Sequence, residues 1–384
     1  MSFKFYCGKC NRFIELDYRY FKCPTCNAPL DLHFERPAEL EADNLIDYRF
    51  KGIWRFHRLL PPISKKLSLG EGLTPLVERE LEGYTQLFKL DYLNPSGSFK
   101  DRGSAIAVSF ALDFNISDIY EDSSGNAGFS IALYSRHASL TPHIYVPKDA
   151  PIEKVRVLRM LNVDIKLCKD REEAFNKAYS DAVTNNGYYI GHLWNPIFIE
   201  GLKTIAYEVA LDSNFKSPDH IFIPVGSGGL LIGVYRGFRE LYEYGLIDDI
   251  PKIHSVEAVG YVRVYTALKS YASIDYELNG VSKYADGIRV KHPPRLAQVI
   301  EAVKSTDGEP HVVNDSMIKE AIKALIKMGF IVEPTSATTY AAYINSVKYG
   351  IVDRGERSLI ILTGSGFKTI ANLLDLLGLK SKNR

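Results

Sequence analysis

Nowhere in its 384 residues does this chain hold the ~20 uninterrupted apolar residues that a membrane span needs. Its longest apolar stretch, around Ile221 to Tyr235, is broken by Pro224 and a cluster of glycines. An excess of one charge is missing too. A formal net charge of +1 gives no electrostatic reason to expect nucleic acid or an anionic membrane as partner. The N-terminus reaches Cys7 before a signal-peptide core could form. Low-complexity tracts and evident repeats are also lacking. These absences lead us to expect a soluble, cytoplasmic protein. Its length is too great for one compact core and suits two domains plus a small appendage.

Cysteine is scarce, and its placement is informative. Four of the five form Cys7-x2-Cys10 and Cys23-x2-Cys26, two knuckles that can bring four thiolates into one tetrahedron around a structural zinc. Two disulfides or a redox pair would be the plainer reading. A reducing compartment and the lack of a thioredoxin-like βαβ context argue against it. Zinc ribbons often bind nucleic acid, but residues 1–35 carry five basic and four acidic side chains, which fits a structural cap or interaction module better. Cys168 follows the apolar run Val163 to Leu167 and reads as a buried core thiol.

Beyond a polar linker and Pro61-Pro62, strand-like and helix-like segments alternate. Short apolar runs at Ile144 to Val146, Val163 to Leu167, Ile221 to Val225, Ile253 to Val259 and Leu359 to Leu362 predict buried parallel strands. Asp101 to Phe114, Glu153 to Leu161 and Met317 to Met328 predict helices. The alternation indicates an α/β fold with parallel sheets, in which ligands gather at the carboxyl ends of strands.

Three loops there could carry chemistry. Asn94 to Gly103 (Asn-Pro-Ser-Gly-Ser-Phe-Lys-Asp-Arg-Gly) opens an alanine-rich helix, and the helix dipole favours the neutral, nucleophilic form of Lys100. Most lysines at helix starts are simply solvated. Ser123-Ser124-Gly125-Asn126-Ala127-Gly128 could present backbone N–H groups and an amide to an anion. Gly226-Ser227-Gly228-Gly229 follows an apolar strand and opens a helix, as a phosphate cradle would, although such turns also serve packing alone. The glycine spacing is too narrow for a dinucleotide fingerprint.

Together these loops resemble the β family of pyridoxal-phosphate (PLP) enzymes, fold type II, and within it the threonine synthases. The resemblance covers nearly the whole chain. It implies two α/β domains with PLP in a cleft between them, and Lys100, preceded by Phe99, as the Schiff-base lysine. Asn126 would bond the cofactor's 3′-oxygen, and Gly226, Ser227, Gly228 and Gly229 would hold its phosphate. Thr363, in Leu362-Thr363-Gly364-Ser365-Gly366, would meet the pyridine nitrogen, while Ser123, Ser124, Gly125 and Asn126 would receive the substrate carboxylate. A hydroxyl at that nitrogen makes the ring a milder electron sink than a carboxylate would, favouring elimination and replacement over transamination. The cysteine ribbon is similar to that of many threonine synthases, as are Ile53-Trp54-Arg55-Phe56, Leu69 to Leu76, and Asn195-Pro196 with Glu200-Gly201-Leu202-Lys203-Thr204. Spacing alone makes Glu200 and Lys203 an i,i+3 surface pair of little energetic weight. It makes Trp54 a core or interface anchor.

The resemblance implies the conversion of O-phosphohomoserine and water to L-threonine and phosphate, in a homodimer. The domains expected are a zinc ribbon over 1–36, a linker over 37–76, a large PLP domain over 77–107 and 193–384, and a small α/β domain over 108–192. The chain departs from the family where a substrate phosphate would bind. Phe198 and Leu193 stand at positions usual for arginine and serine, Ala127 at a usual threonine and Ser365 at a usual histidine. Phenylalanine cannot donate to a phosphate, and the loss of a bidentate contact is not conservative. Arg159, Lys154 or Arg289 could supply the charge from elsewhere, though each reads first as a surface side chain. Ser123 to Gly128, Gly226 to Leu230 and Ala285-Asp286-Gly287-Ile288 are also similar to serine and threonine dehydratases. An elimination of that kind, a cysteate synthase-like replacement and a non-catalytic PLP-binding paralogue therefore stand as alternatives.

Overall fold

The computed structural model describes residues 3–150, 152–269 and 280–379, with the side chains of residues 152–154 left aside. Met1 and Ser2 of the expected ribbon, residues 270–279 and 380–384 of the expected large domain, and the Lys154 side chain therefore lie outside it. Two compact units divide the chain: Met1–Leu73, Asn94–Ser96 and Lys100–Thr204 form the first, and Thr74–Leu93, Gly97–Phe99 and Ile205–Arg384 the second.

The first unit begins with a three-stranded antiparallel sheet, Phe3–Cys7 between Arg12–Ile14 and Asp31–Phe34. Phe3, Phe5 and Cys7 alternate inward along the middle strand, the period-two pattern of a half-buried sheet. The ribbon is anchored to the rest of its unit by aromatic side chains. Phe3 meets Phe110 at 6.2 Å between ring centroids, and Phe21 enters a cage of Phe175, Tyr179, Tyr189 and Trp194. A parallel sheet follows in the order Asp164–Cys168, Thr141–Pro147, Asp118–Glu121, Tyr188–Tyr189. Cys168 is buried among the aromatic residues beneath it, as its sequence context indicates.

The helix Lys100–Asp113 is buried on every side from Asp101 to Ala111, polar residues included, the mark of a core helix. It packs on the short helix Pro196–Leu202, and glycine makes the approach possible from both sides. A β-carbon on Gly103 would overlap the Phe198 ring, and one on Gly201 would overlap the Arg102 carbonyl. Every residue of Pro196–Leu202 is buried, which corrects the expectation for Glu200 and Lys203. Their ion pair (2.6 Å) is internal, the side chains being 4% and 1% exposed, and Lys203 also donates to the Leu59 carbonyl. Spacing predicted the pair, but only tertiary packing removed it from solvent.

The second unit holds a six-stranded sheet in the order Pro310–Val313, Lys252–Ala258, His220–Pro224, Arg357–Ile361, Tyr84–Lys89, Leu76–Leu81. Only the edge strand Leu76–Leu81 is antiparallel to its neighbour. His220–Pro224 is buried along its whole length, as a parallel strand covered on both faces must be. The five predicted strands and three predicted helices all form, with ends within a few residues of those expected, but Asp164–Cys168 lies at a sheet edge and buries only Cys168 instead of running buried throughout. Among the described residues no helix is long and apolar enough to cross a membrane.

Candidate active site

In the first unit, Lys100 is the opening residue of its helix, and the loop before it is pinned by Asp101. That carboxylate, fully buried, accepts the Ser96 N–H at 2.6 Å and the Ser130 hydroxyl at 2.5 Å. The Lys100 ammonium lies 5.8 Å from the centre of the Phe198 ring. The segment Ser123 to Gly125 leads from the strand Asp118–Glu121 into the helix Asn126–His137. Gly128 has no room for a β-carbon against the Ser123 carbonyl, so the turn closes tightly on itself. Gly125, the residue capping that helix, supplies no side-chain cap to its first N–H groups, which leaves a geometry suited to a carboxylate.

Sequence reasoning missed a polar cluster on the same side of this unit. Glu121 ends its strand fully buried and meets the Nδ1 of His192 at 2.6 Å, while the His192 backbone N–H reaches the other carboxylate oxygen at 3.3 Å. Asp122 accepts the Tyr189 hydroxyl at 2.8 Å. Burial pushes Glu121 up to about 7, against backbone N–H groups and the charge of Lys100, which pull it down. Desolvation, then the neighbouring Glu121, raises Asp122 to about 6. Burial, then the charge of Lys100, drives His192 down to about 3. The Phe198 ring is shared ground, with His192 6.2 Å away between centroids. The available signal was two consecutive carboxylates closing an apolar strand, where burial has to be matched by partners.

In the second unit, Gly226 to Gly229 joins the strand His220–Pro224 to the helix Gly229–Glu243. Gly228 takes φ +92°, a conformation L side chains rarely adopt, and a β-carbon on it would overlap Val299. A β-carbon on Gly226 would stand 3.1 Å from the Ile288 backbone. The helix start carries no side-chain cap, so it fits an anion such as a phosphate. Thr363 follows the strand Arg357–Ile361. Its N–H donates to Ser336 Oγ at 2.8 Å, and its carbonyl accepts the N–H of Phe99, the residue before Lys100. Its own Oγ1 is buried without a hydrogen-bond partner among the described residues. An orphaned buried hydroxyl is costly, and a heterocyclic ring nitrogen would satisfy it.

The sequence-predicted residues thus fall in two groups, Lys100 and Ser123 to Asn126 in the first unit and Phe99, Gly226 to Gly229 and Thr363 in the second. Of the positions where the chain departs from the family pattern, Phe198 and Ala127 are buried, and Leu193 and Ser365 are half-buried. Arg159 is exposed and Arg289 half-buried. The four ribbon cysteines do converge: their sulfurs all lie within 4.8 Å of one another, Cys7 3.5 Å from Cys26 and Cys10 3.9 Å from Cys23. A tetrahedral zinc with bonds of about 2.3 Å holds its sulfurs about 3.8 Å apart.

Residues 67–364 match the family described as pyridoxal-phosphate dependent enzyme. The chain belongs to that family, with the α/β architecture of its fold type II, and is a PLP-dependent lyase. Its similarity within the family runs to the threonine synthases. That of Methanocaldococcus jannaschii is 30% identical over 94% of this chain and 92% of its own length. That of Methanosarcina acetivorans is 28% identical over 96% and 93%. Among solved structures, a threonine deaminase isoform from Solanum lycopersicum superposes with TM-score 0.64 at 24% identity, covering 80% of this chain and 84% of that one. A serine racemase from Dictyostelium discoideum superposes with TM-score 0.62 at 26% identity, covering 76% and 92%.

Proposed function

We propose that this chain is a carbon–oxygen lyase of the threonine synthase kind, in which Lys100 binds PLP covalently and then moves the proton at the substrate Cα. When bound, PLP supplies the electron sink that makes this proton labile. The residues that would hold it are Asn126 at its 3′-oxygen, Gly226, Ser227, Gly228 and Gly229 at its phosphate, and Thr363 at its ring nitrogen. Ser123 to Asn126 receive the substrate carboxylate at their helix start. Thr363 carries the reading, because its hydroxyl is buried, unbonded and bound by its backbone to the residue that precedes Lys100. A hydroxyl there favours loss of a β or γ substituent over transamination.

One version takes O-phosphohomoserine and water to threonine and phosphate. It is supported by similarity to threonine synthases over 94% and 96% of the chain. We assign a structural zinc to Cys7, Cys10, Cys23 and Cys26 on their spacing and the sulfur separations. The second version, elimination from serine or threonine to a keto acid, is favoured by Phe198, which sets an apolar ring beside Lys100 where a phosphate would need a donor. The test offers purified protein O-phosphohomoserine, following phosphate and threonine, and in parallel L-serine and L-threonine, following keto acid. Lys100→Ala is expected to lose both the cofactor absorbance and all products, and a variant that kept them would overturn the assignment.

A further inference from the structure

His192 is held by one ring nitrogen and open at the other. Its Nδ1 is bound to Glu121 at 2.6 Å, whereas its Nε2 has no hydrogen-bond partner among the described residues, and the side chain keeps 12% of its surface exposed. The ring packs against Phe198, and the Lys100 ammonium lies against that same phenylalanine. Glu121 fixes the orientation, since it grips both the ring and the backbone N–H of His192. An ionised Glu121 accepts a hydrogen bond from Nδ1–H, which keeps the ring proton on Nδ1 and leaves Nε2 an acceptor.

We propose that Nε2 of His192, positioned by Glu121, accepts a hydrogen bond from the side-chain hydroxyl of the substrate, so that the substrate is a free hydroxy amino acid and not a phosphate ester. The inference rests on Lys100 being the cofactor lysine, and it decides between the two versions of the reaction. The reason is donor–acceptor matching. A hydroxyl supplies the O–H that an acceptor nitrogen needs. A phosphate dianion supplies only acceptors, and it would face the buried carboxyls Glu121 and Asp122 behind the ring.

Protonation of Glu121 reverses the polarity: its carboxyl then donates to Nδ1, the ring proton moves to Nε2, and the acceptor is lost. The charged and titrating groups facing the pair are Lys100, which pulls Glu121 down, and Asp122, itself bonded to Tyr189. Because burial lifts Glu121 to about 7, the preference for the hydroxyl is full above that pH and fades below it.

The test is equilibrium affinity, read from the absorbance of the cofactor-loaded protein on rapid mixing, before turnover. L-threonine is compared with L-2-aminobutyrate, the same skeleton without the hydroxyl, and with O-phosphohomoserine. In the wild type, L-threonine is expected to bind roughly tenfold tighter than either, the order of a hydrogen bond in a dry site. His192→Leu should erase the advantage over L-2-aminobutyrate, with L-threonine losing about tenfold more affinity than L-2-aminobutyrate does. His192→Asn, which keeps an acceptor, should restore part of it, and Glu121→Gln should remove its pH dependence. Tighter binding of O-phosphohomoserine by the wild type, or equal losses for L-threonine and L-2-aminobutyrate in His192→Leu, would overturn the proposal. Absorbance indifferent to every amino acid would instead overturn the role of Lys100.

Discussion

At Thr363 the backbone is fully engaged and the side chain is not. N–H and carbonyl both pair, with Ser336 and Phe99, while Oγ1 is buried and idle. Folding therefore gains nothing from the hydroxyl, and binding has a use for it. Thr363→Val keeps shape and volume and removes only the oxygen. We expect the cofactor-free protein to melt at the same temperature or higher, because a desolvated polar group has gone. Affinity for PLP should fall about tenfold, the weight of one buried hydrogen bond. A thermal melt and a PLP titration check the two halves separately. Equal loss in both would mean that the hydroxyl serves the fold.

Three neighbouring parallel strands carry a row of imidazoles, His220 and His254 buried and His311 half-buried. His220 Nδ1 meets His254 Nε2 at 2.8 Å, His254 Nδ1 meets His311 Nε2 at 3.2 Å, and His220 Nε2 meets Glu356 at 3.0 Å. The Glu309 backbone N–H donates to His254 Nδ1, so a proton on that nitrogen would face another donor. Burial, then the charges of His311, His220 and Lys252, holds His254 well below its ordinary value. Burial, then Lys269 and His220, lowers His311 to about 3. The folded chain thus refuses protons that the unfolded chain accepts near 6.5, so stability is full above that pH and declines as pH falls toward 3. The urea midpoint is expected to be higher at pH 8 than at pH 5, and the difference should shrink in His254→Phe. A pH-independent midpoint would refute it.

Across the whole molecule, the cysteine ribbon is anchored to the first unit through Phe3 on Phe110 and Phe21 in its aromatic cage. The zinc proposed for its four cysteines would tie their thiolates together, so its removal is expected to loosen those anchors, because such ribbons draw folding energy from their ion. Elemental analysis should find one zinc per chain. A chelator, or Cys10→Ser, should lower the melting temperature by about 5 °C or more, and an unchanged melt in metal-depleted protein would count against a structural ion.

Local physics made much of this legible. Buried parallel strands announce themselves as short apolar runs, Gly-rich turns mark where chain and ligand come close, and paired Cys-x2-Cys knuckles need only proximity in sequence. Those signals gave the α/β class, the loops at Lys100, Ser123 and Gly226, and the cysteine cluster. The environment of Lys100 was another matter. Glu121 and His192 are 71 residues apart, and nothing in either neighbourhood announces the other. Glu200 and Lys203 looked solvated because helical spacing carries no information on what covers a helix. Sequence determined which elements form and where a ligand-binding turn can sit, since those depend on propensity and pattern over a few residues. Tertiary structure alone decided which side chains lose their water and which partners they meet, since desolvation is a property of everything packed around them.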